Sequence, residues 1–169
     1  MNKKVSPRMQ VNGAYMMGVI DSLEEVHVRP FREKHGLTEI DPQQWYPAQQ
    51  IVDFYADIEK NGNMFDLIAI GMKAVEHVEY PPQVDTLEKA LGMATEMHKG
   101  GWRDGNPGEL LVEFIGDRHV RLTFEDLPLP IDLVYGLCYG TIKRFAPSGS
   151  IITVRREKID DAYLFDLQW

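Results

Sequence analysis

His98 is the side chain in this sequence best placed for chemistry. It follows Leu87, Leu91 and Ala94 at spacings of 4, 3 and 4, on or beside the apolar stripe of a helix. Directly after it, Gly100-Gly101 ends the helical pattern and alternating strand patterns begin. A neutral imidazole at such a seam can ligate a buried iron. It can equally cap a fading helix or hydrogen-bond within a core, and one histidine alone is not a metal site. His77 shares a face with Ile70 and Ala74 on another helix, and His35 suits a helix C-terminus. His27 and His119 read as solvent-facing, and no two histidines have ligand spacing.

The segment Tyr135-Gly136-Leu137-Cys138-Tyr139-Gly140 is the second feature. Gly136 and Gly140 are four residues apart and lie on one helix face. Each costs a helix about 1 kcal/mol against alanine, so something needs the space. Close packing of the helix on its own sheet is one explanation. One wall of a ligand cavity is the other, with Tyr135 and Tyr139 offering hydroxyls to its occupant. Cys138 sits among apolar residues and reads as an inert buried thiol. Ser148 and Ser150 occupy a Pro/Gly turn without a nucleophile-elbow pattern. Asp160-Asp161 and Glu125-Asp126 fall in turns, and no phosphate loop follows a strand. Catalysis is the least supported class.

The elements that must position these residues follow from periodicity. Residues 1–11 read as a flexible arm, and 12–169 as a single domain. A first helix runs from about Ala14 to His35 and is broken late by Pro30. Tyr46-Pro47 opens a second helix, which Asn61-Gly62-Asn63 ends. A third spans Met64 to about Val78, with Leu67, Ile68, Met72 and Val75 inward. Asp85 or Thr86 caps the fourth, which ends at His98. Leu110, Val112 and Phe114 alternate, as do Val120, Leu122 and Phe124, giving a hairpin around Gly116-Asp117. A helix from Ile131 to Phe145 precedes a second strand pair. The expected class is α+β, with N-terminal helices packed on a four-stranded antiparallel sheet and a helix between the strand pairs.

Eighteen basic against 26 acidic residues leave a net charge of −8, which argues against nucleic acid as a partner. A single cysteine permits no intrachain disulfide and fits a cytoplasmic location. No apolar run approaches the ~20 residues that span a bilayer, and the first ten carry no apolar signal region.

Several short motifs resemble the haem-nitric-oxide/oxygen-binding (H-NOX) superfamily and its haem-free relatives, the 4-vinyl-reductase-like domains. They are Val11-Asn12-Gly13 opening the first helix, Trp45-Tyr46-Pro47, Met97-His98 closing the fourth helix, and Leu133-Val134-Tyr135-Gly136-Leu137. In the haem-binding members a histidine at the corresponding position is the proximal iron ligand, which the resemblance assigns to His98. Those members also carry a Tyr-x-Ser-x-Arg motif that holds the haem propionates. The matching stretch here, Thr123-Phe124-Glu125-Asp126-Leu127-Pro128-Leu129-Pro130, has no Arg and brings two carboxylates instead. Leu129-Pro130-Ile131-Asp132 is closer to the 4-vinyl-reductase-like branch, whose members include sensors of small hydrophobic molecules.

The expected function is therefore a non-enzymatic small-molecule sensor with an apolar pocket between helices and sheet. His98, Tyr135, Gly136, Tyr139 and Gly140 are the expected ligand-binding residues, and a separate signalling partner or a homodimer would read the bound state. One alternative is a haem-based NO/O2 sensor with His98 as axial ligand. The other is an interaction scaffold with a filled core.

Overall fold

The computed structural model describes residues 3–61 and 65–169. A short strand β1 (Gln10–Asn12) leads into α1 (Gly13–Ile20), followed by α2 (Glu25–His35). Strand β2 (Trp45–Pro47) opens α3 (Ala48–Lys60), and α4 (Leu67–Ala74) tightens into a 3-10 turn over Val75–His77. Then come α5 (Leu87–Gly92), α6 (Ala94–Gly100) and β3 (Trp102–Arg103). The hairpin β4 (Glu109–Gly116) and β5 (His119–Glu125) precedes α7 (Ile131–Phe145), and β6 (Thr153–Ile159) and β7 (Ala162–Gln168) close the chain. The expected α+β architecture is what forms: the four long strands make one antiparallel sheet in the order β4-β5-β7-β6.

The sheet obeys its side-chain alternation. Val120, Leu122 and Phe124 all face inward from β5, opposite Leu167, Phe165 and Tyr163 of β7. On the edge strand β4, Leu110 is buried but Phe114 is half exposed, and the register breaks between Phe114 and Gly116. A second sheet of three short strands, β2-β1-β3, was not foreseen.

Over its described part, residues 3–11, the flexible arm expected for residues 1–11 is instead tied to the fold. β1 is the middle strand of the small sheet, and Met9 and Val11 are fully buried. Farther out, the Val5 amide donates to Gln49 Oε1 at 3.1 Å and Lys3 Nζ donates to the Leu127 carbonyl at 2.7 Å. Paired backbone and buried side chains hold the segment, which a three-residue strand is too short to advertise by periodicity.

The long first helix is also corrected. It breaks at Asp21–Glu24, where the Asp21 and Ser22 amides close the end of α1, and Pro30 lies inside α2. The carbonyl that Pro30 cannot serve belongs to Val26, a residue that is 75% exposed, so the missing bond falls on the solvent side of the helix. The fourth helix is two pieces, α5 and α6, meeting at Met93. Gly62-Asn63 of the expected turn and Met64, the expected start of the third helix, lie outside the described residues.

Helix α7 joins two apolar cores. Leu133 packs with the N-terminal helices and β1, whereas Val134, Cys138 and Ile142 pack with α5 and the large sheet. No helix of the described residues is long and apolar enough to cross a membrane.

Candidate functional site

A cavity of about 170 Å³ lies at the seam of these two cores. Ala90, Leu91, Ala94 and Met97 of α5 and α6 form one wall, and Leu110, Leu122 and Phe124 of the sheet another. Val134, Leu137, Cys138 and Thr141 close it from α7, with Tyr15 and Tyr80 at the sides. The size is close to the about 150 Å³ of an apolar void that stays dry and admits benzene. It is well below the roughly 300–1,000 Å³ of pockets that bury drug-sized ligands.

His98 is the basic side chain in this lining, and only 7% of it is exposed. Desolvation pushes its imidazole below the ordinary value, while the carbonyls of Gly108 and Pro107 oppose the shift. Those carbonyls can accept from a ring N–H, the arrangement that second-shell carbonyls give metal-binding histidines. The other nitrogen, Nε2, is buried and has no hydrogen-bond partner among the described residues. With the proton on the nitrogen that faces the carbonyls, Nε2 would be an unused acceptor at the seam. Such an acceptor suits either one donor on a small apolar molecule or an iron.

The other expected site residues lie elsewhere. A Cβ on Gly136 would meet the Ile68 carbonyl oxygen at 2.2 Å, and one on Gly140 would meet that of Met72 at 2.8 Å. Both glycines therefore serve the backbone contact of α7 with α4, where Gly71 faces Leu133 in the same way. They are not in the lining of this cavity, and the packing they serve is on α4 rather than on the sheet. Tyr135 is also absent from the cavity lining; its hydroxyl donates to the Val154 carbonyl at 3.1 Å and its ring lies against Phe165. Tyr139 is half-buried on α7 and does not line the cavity either. Of the five expected residues, the fold brings His98 alone to the seam.

Sequence reasoning missed Tyr15, Tyr80, Leu137 and Thr141. Leu137 and Thr141 continue Val134 at spacings of 3 and 4, so the α7 stripe could have supplied them. Tyr15 and Tyr80 come from remote segments, and only the fold reveals them. Burial raises the phenol of Tyr80 above its usual value, with the Thr141 hydroxyl beside it acting the other way. Cys138 is buried as expected, its thiol pushed up to about 12 by desolvation.

Glu125 and Asp126 stand outside the cavity, on the surface, where Lys3 pairs with Asp126 at 2.7 Å. Of the remaining histidines, His35 bonds Asp57 at 2.8 Å across α2 and α3, and His119 is half-buried against Asp166. His27 and His77 are exposed. No group of three or more His, Cys, Asp or Glu side chains among the described residues could hold a metal ion.

No protein-family model matches the chain, and no curated protein matches it. Solved structures do. An S. oneidensis H-NOX protein in the Fe(II)NO ligation state aligns with a TM-score of 0.67 at 13% identity, over 93% of this chain and 98% of that one. An oxygen-binding H-NOX domain related to soluble guanylate cyclases aligns with a TM-score of 0.64 at 16% identity, over 92% and 89%. A mutant of the T. tengcongensis H-NOX gives 0.64 at 16% identity, over 92% and 93%. At such identities the likeness establishes the fold: the chain has the H-NOX-like architecture.

Proposed function

We propose that the chain is a non-enzymatic, ligand-binding sensor domain whose ligand occupies the seam cavity and bonds His98 Nε2. One observation supports this reading: His98, whose buried Nε2 has no hydrogen-bond partner among the described residues, belongs to the lining of a mostly apolar cavity. An unused buried acceptor costs stability, and functional sites are where such groups survive. The matching ligand is small and apolar, with one hydrogen-bond donor. Because the cavity borders both cores, its occupant favours one packing of α5 and α6 on the sheet and α7. A separate partner or a second copy of the chain reads that population shift. The domain is one unit and includes β1, whose burial ties the N-terminus to it, and a cytoplasmic setting suits its single thiol.

The haem sensor is the second reading, favoured by the same Nε2 and by the fold shared with H-NOX structures. Fit to haem stops at the axial ligand. No Arg or Lys lines the cavity, and its volume is too small for a porphyrin. The scaffold with a filled core matches the seam poorly, since the seam is not filled.

Thermal shift with phenol and benzene tests the proposal. Phenol should raise Tm more than benzene in the natural chain, and the difference should vanish in His98→Leu. If neither ligand moves Tm, the reading fails. Adding haem decides the second reading: a sharp Soret band lost in His98→Ala would replace the small-molecule account.

A further inference from the structure

A second concavity adjoins the seam cavity. This groove of about 610 Å³ runs between α1, the 3-10 turn and α7, and it shares Tyr15, Val78, Met97, Leu129 and Leu137 with the cavity. The Tyr15 ring is held between them, edge-on to Trp102 at 5.6 Å and seated on Gly101, where a Cβ would meet it at 2.4 Å. The floor is apolar: Ala74, Leu133 and Tyr55 are buried there. Its exposed side chains include the carboxylates of Asp21 and Glu79 and the imidazole of His77, and its lining includes no Lys or Arg.

From this charge pattern we infer that the groove binds a small amphiphilic cation, with the apolar part on the floor and the positive head between Asp21 and Glu79. The inference deepens the sensor reading and rests on it for the role of the site; five lining residues are common to both, and Asp21 and Glu79 belong to the groove alone. A deep apolar floor attracts any alkyl chain of fitting size. The rim discriminates between heads: two carboxylates without a counter-charge attract a cation and repel an anion. A net charge of −8 adds to the same preference at low ionic strength. Anionic amphiphiles, and the dianionic edge of a haem, are the ligands this rim disfavours.

The test compares octyltrimethylammonium, octanol and octanoate below their micellar concentrations at about pH 8. Binding is followed by calorimetry and by the fluorescence of Trp102 beside Tyr15. The cation should bind about fivefold to tenfold more tightly than octanol, and octanoate more weakly than both. Asp21→Asn with Glu79→Gln should bring the cation down to octanol's affinity and leave octanol unchanged; both positions are exposed, so the variant folds. Raising NaCl from about 0.05 to 0.5 M should erode the cation's advantage. Equal binding of the three probes, tighter binding of octanoate, no binding of any, or an indifferent double variant would each overturn the inference. Phenol binding at His98 is read separately, so a failure here leaves the sensor reading standing, and a failure there leaves this result intact.

Discussion

The two faces of α7 answer opposite demands. Toward α4 the helix presents Gly136 and Gly140, and the backbones meet so closely that a single methyl has no room. Toward α5 and the sheet it presents Val134, Leu137, Cys138 and Thr141, and leaves about 170 Å³ unfilled. Native cores are packed nearly to crystal density, so one helix that is tight on one side and open on the other is informative. The tight face fixes where α7 sits, and the open face is free to take something in.

Adding a methyl to each face gives the largest contrast. Gly136→Ala should destabilise by about 3 kcal/mol, the upper end for overpacking, because the obstacle is backbone rather than a flexible side chain. Alanine's better helix propensity recovers only about 1 kcal/mol of the intrinsic preference. Gly140→Ala, with 2.8 Å to the Met72 oxygen, should cost less, about 1–2 kcal/mol. Chemical denaturation measures both. Ala94→Val adds methyls to the cavity side, where stability should change by less than about 1 kcal/mol while phenol binding weakens. Comparable losses from Gly136→Ala and Ala94→Val would erase the contrast between the faces.

Smaller effects sharpen it. Burial holds His98 below its ordinary value, so the unfolded chain binds a proton first as pH falls through about 6.5. The stability linked to this residue is complete above that range and drops as acid is added. His98→Gln should flatten that part of the pH profile. Cys138, pushed up to about 12, should resist thiol reagents in the folded chain and react at the rate of unfolding.

Much of this was legible in the sequence. The alternation of Val120, Leu122 and Phe124 marked the inner face of the sheet, and the Leu87-Leu91-Ala94-His98 stripe carried the imidazole to the seam. Spacing alone could not tell which side of α7 its glycines faced, since Gly136 is flanked by inward residues on both sides of the helix. A glycine pair at this spacing signals a need for space without saying for what, and the structure gives that space to the α4 backbone. Tyr15 and Tyr80 reach the cavity from far along the chain, so no local period reports them. The burial of Met9 and Val11 depends on two short strand partners distant in sequence.

The most direct test of the account is the state of His98 Nε2, read by 15N NMR of the histidine-labelled chain near neutral pH. The account predicts an unprotonated Nε2 in the free protein, shifted on adding phenol by a new hydrogen bond. A protonated Nε2, or a resonance that phenol leaves unmoved, would contradict it.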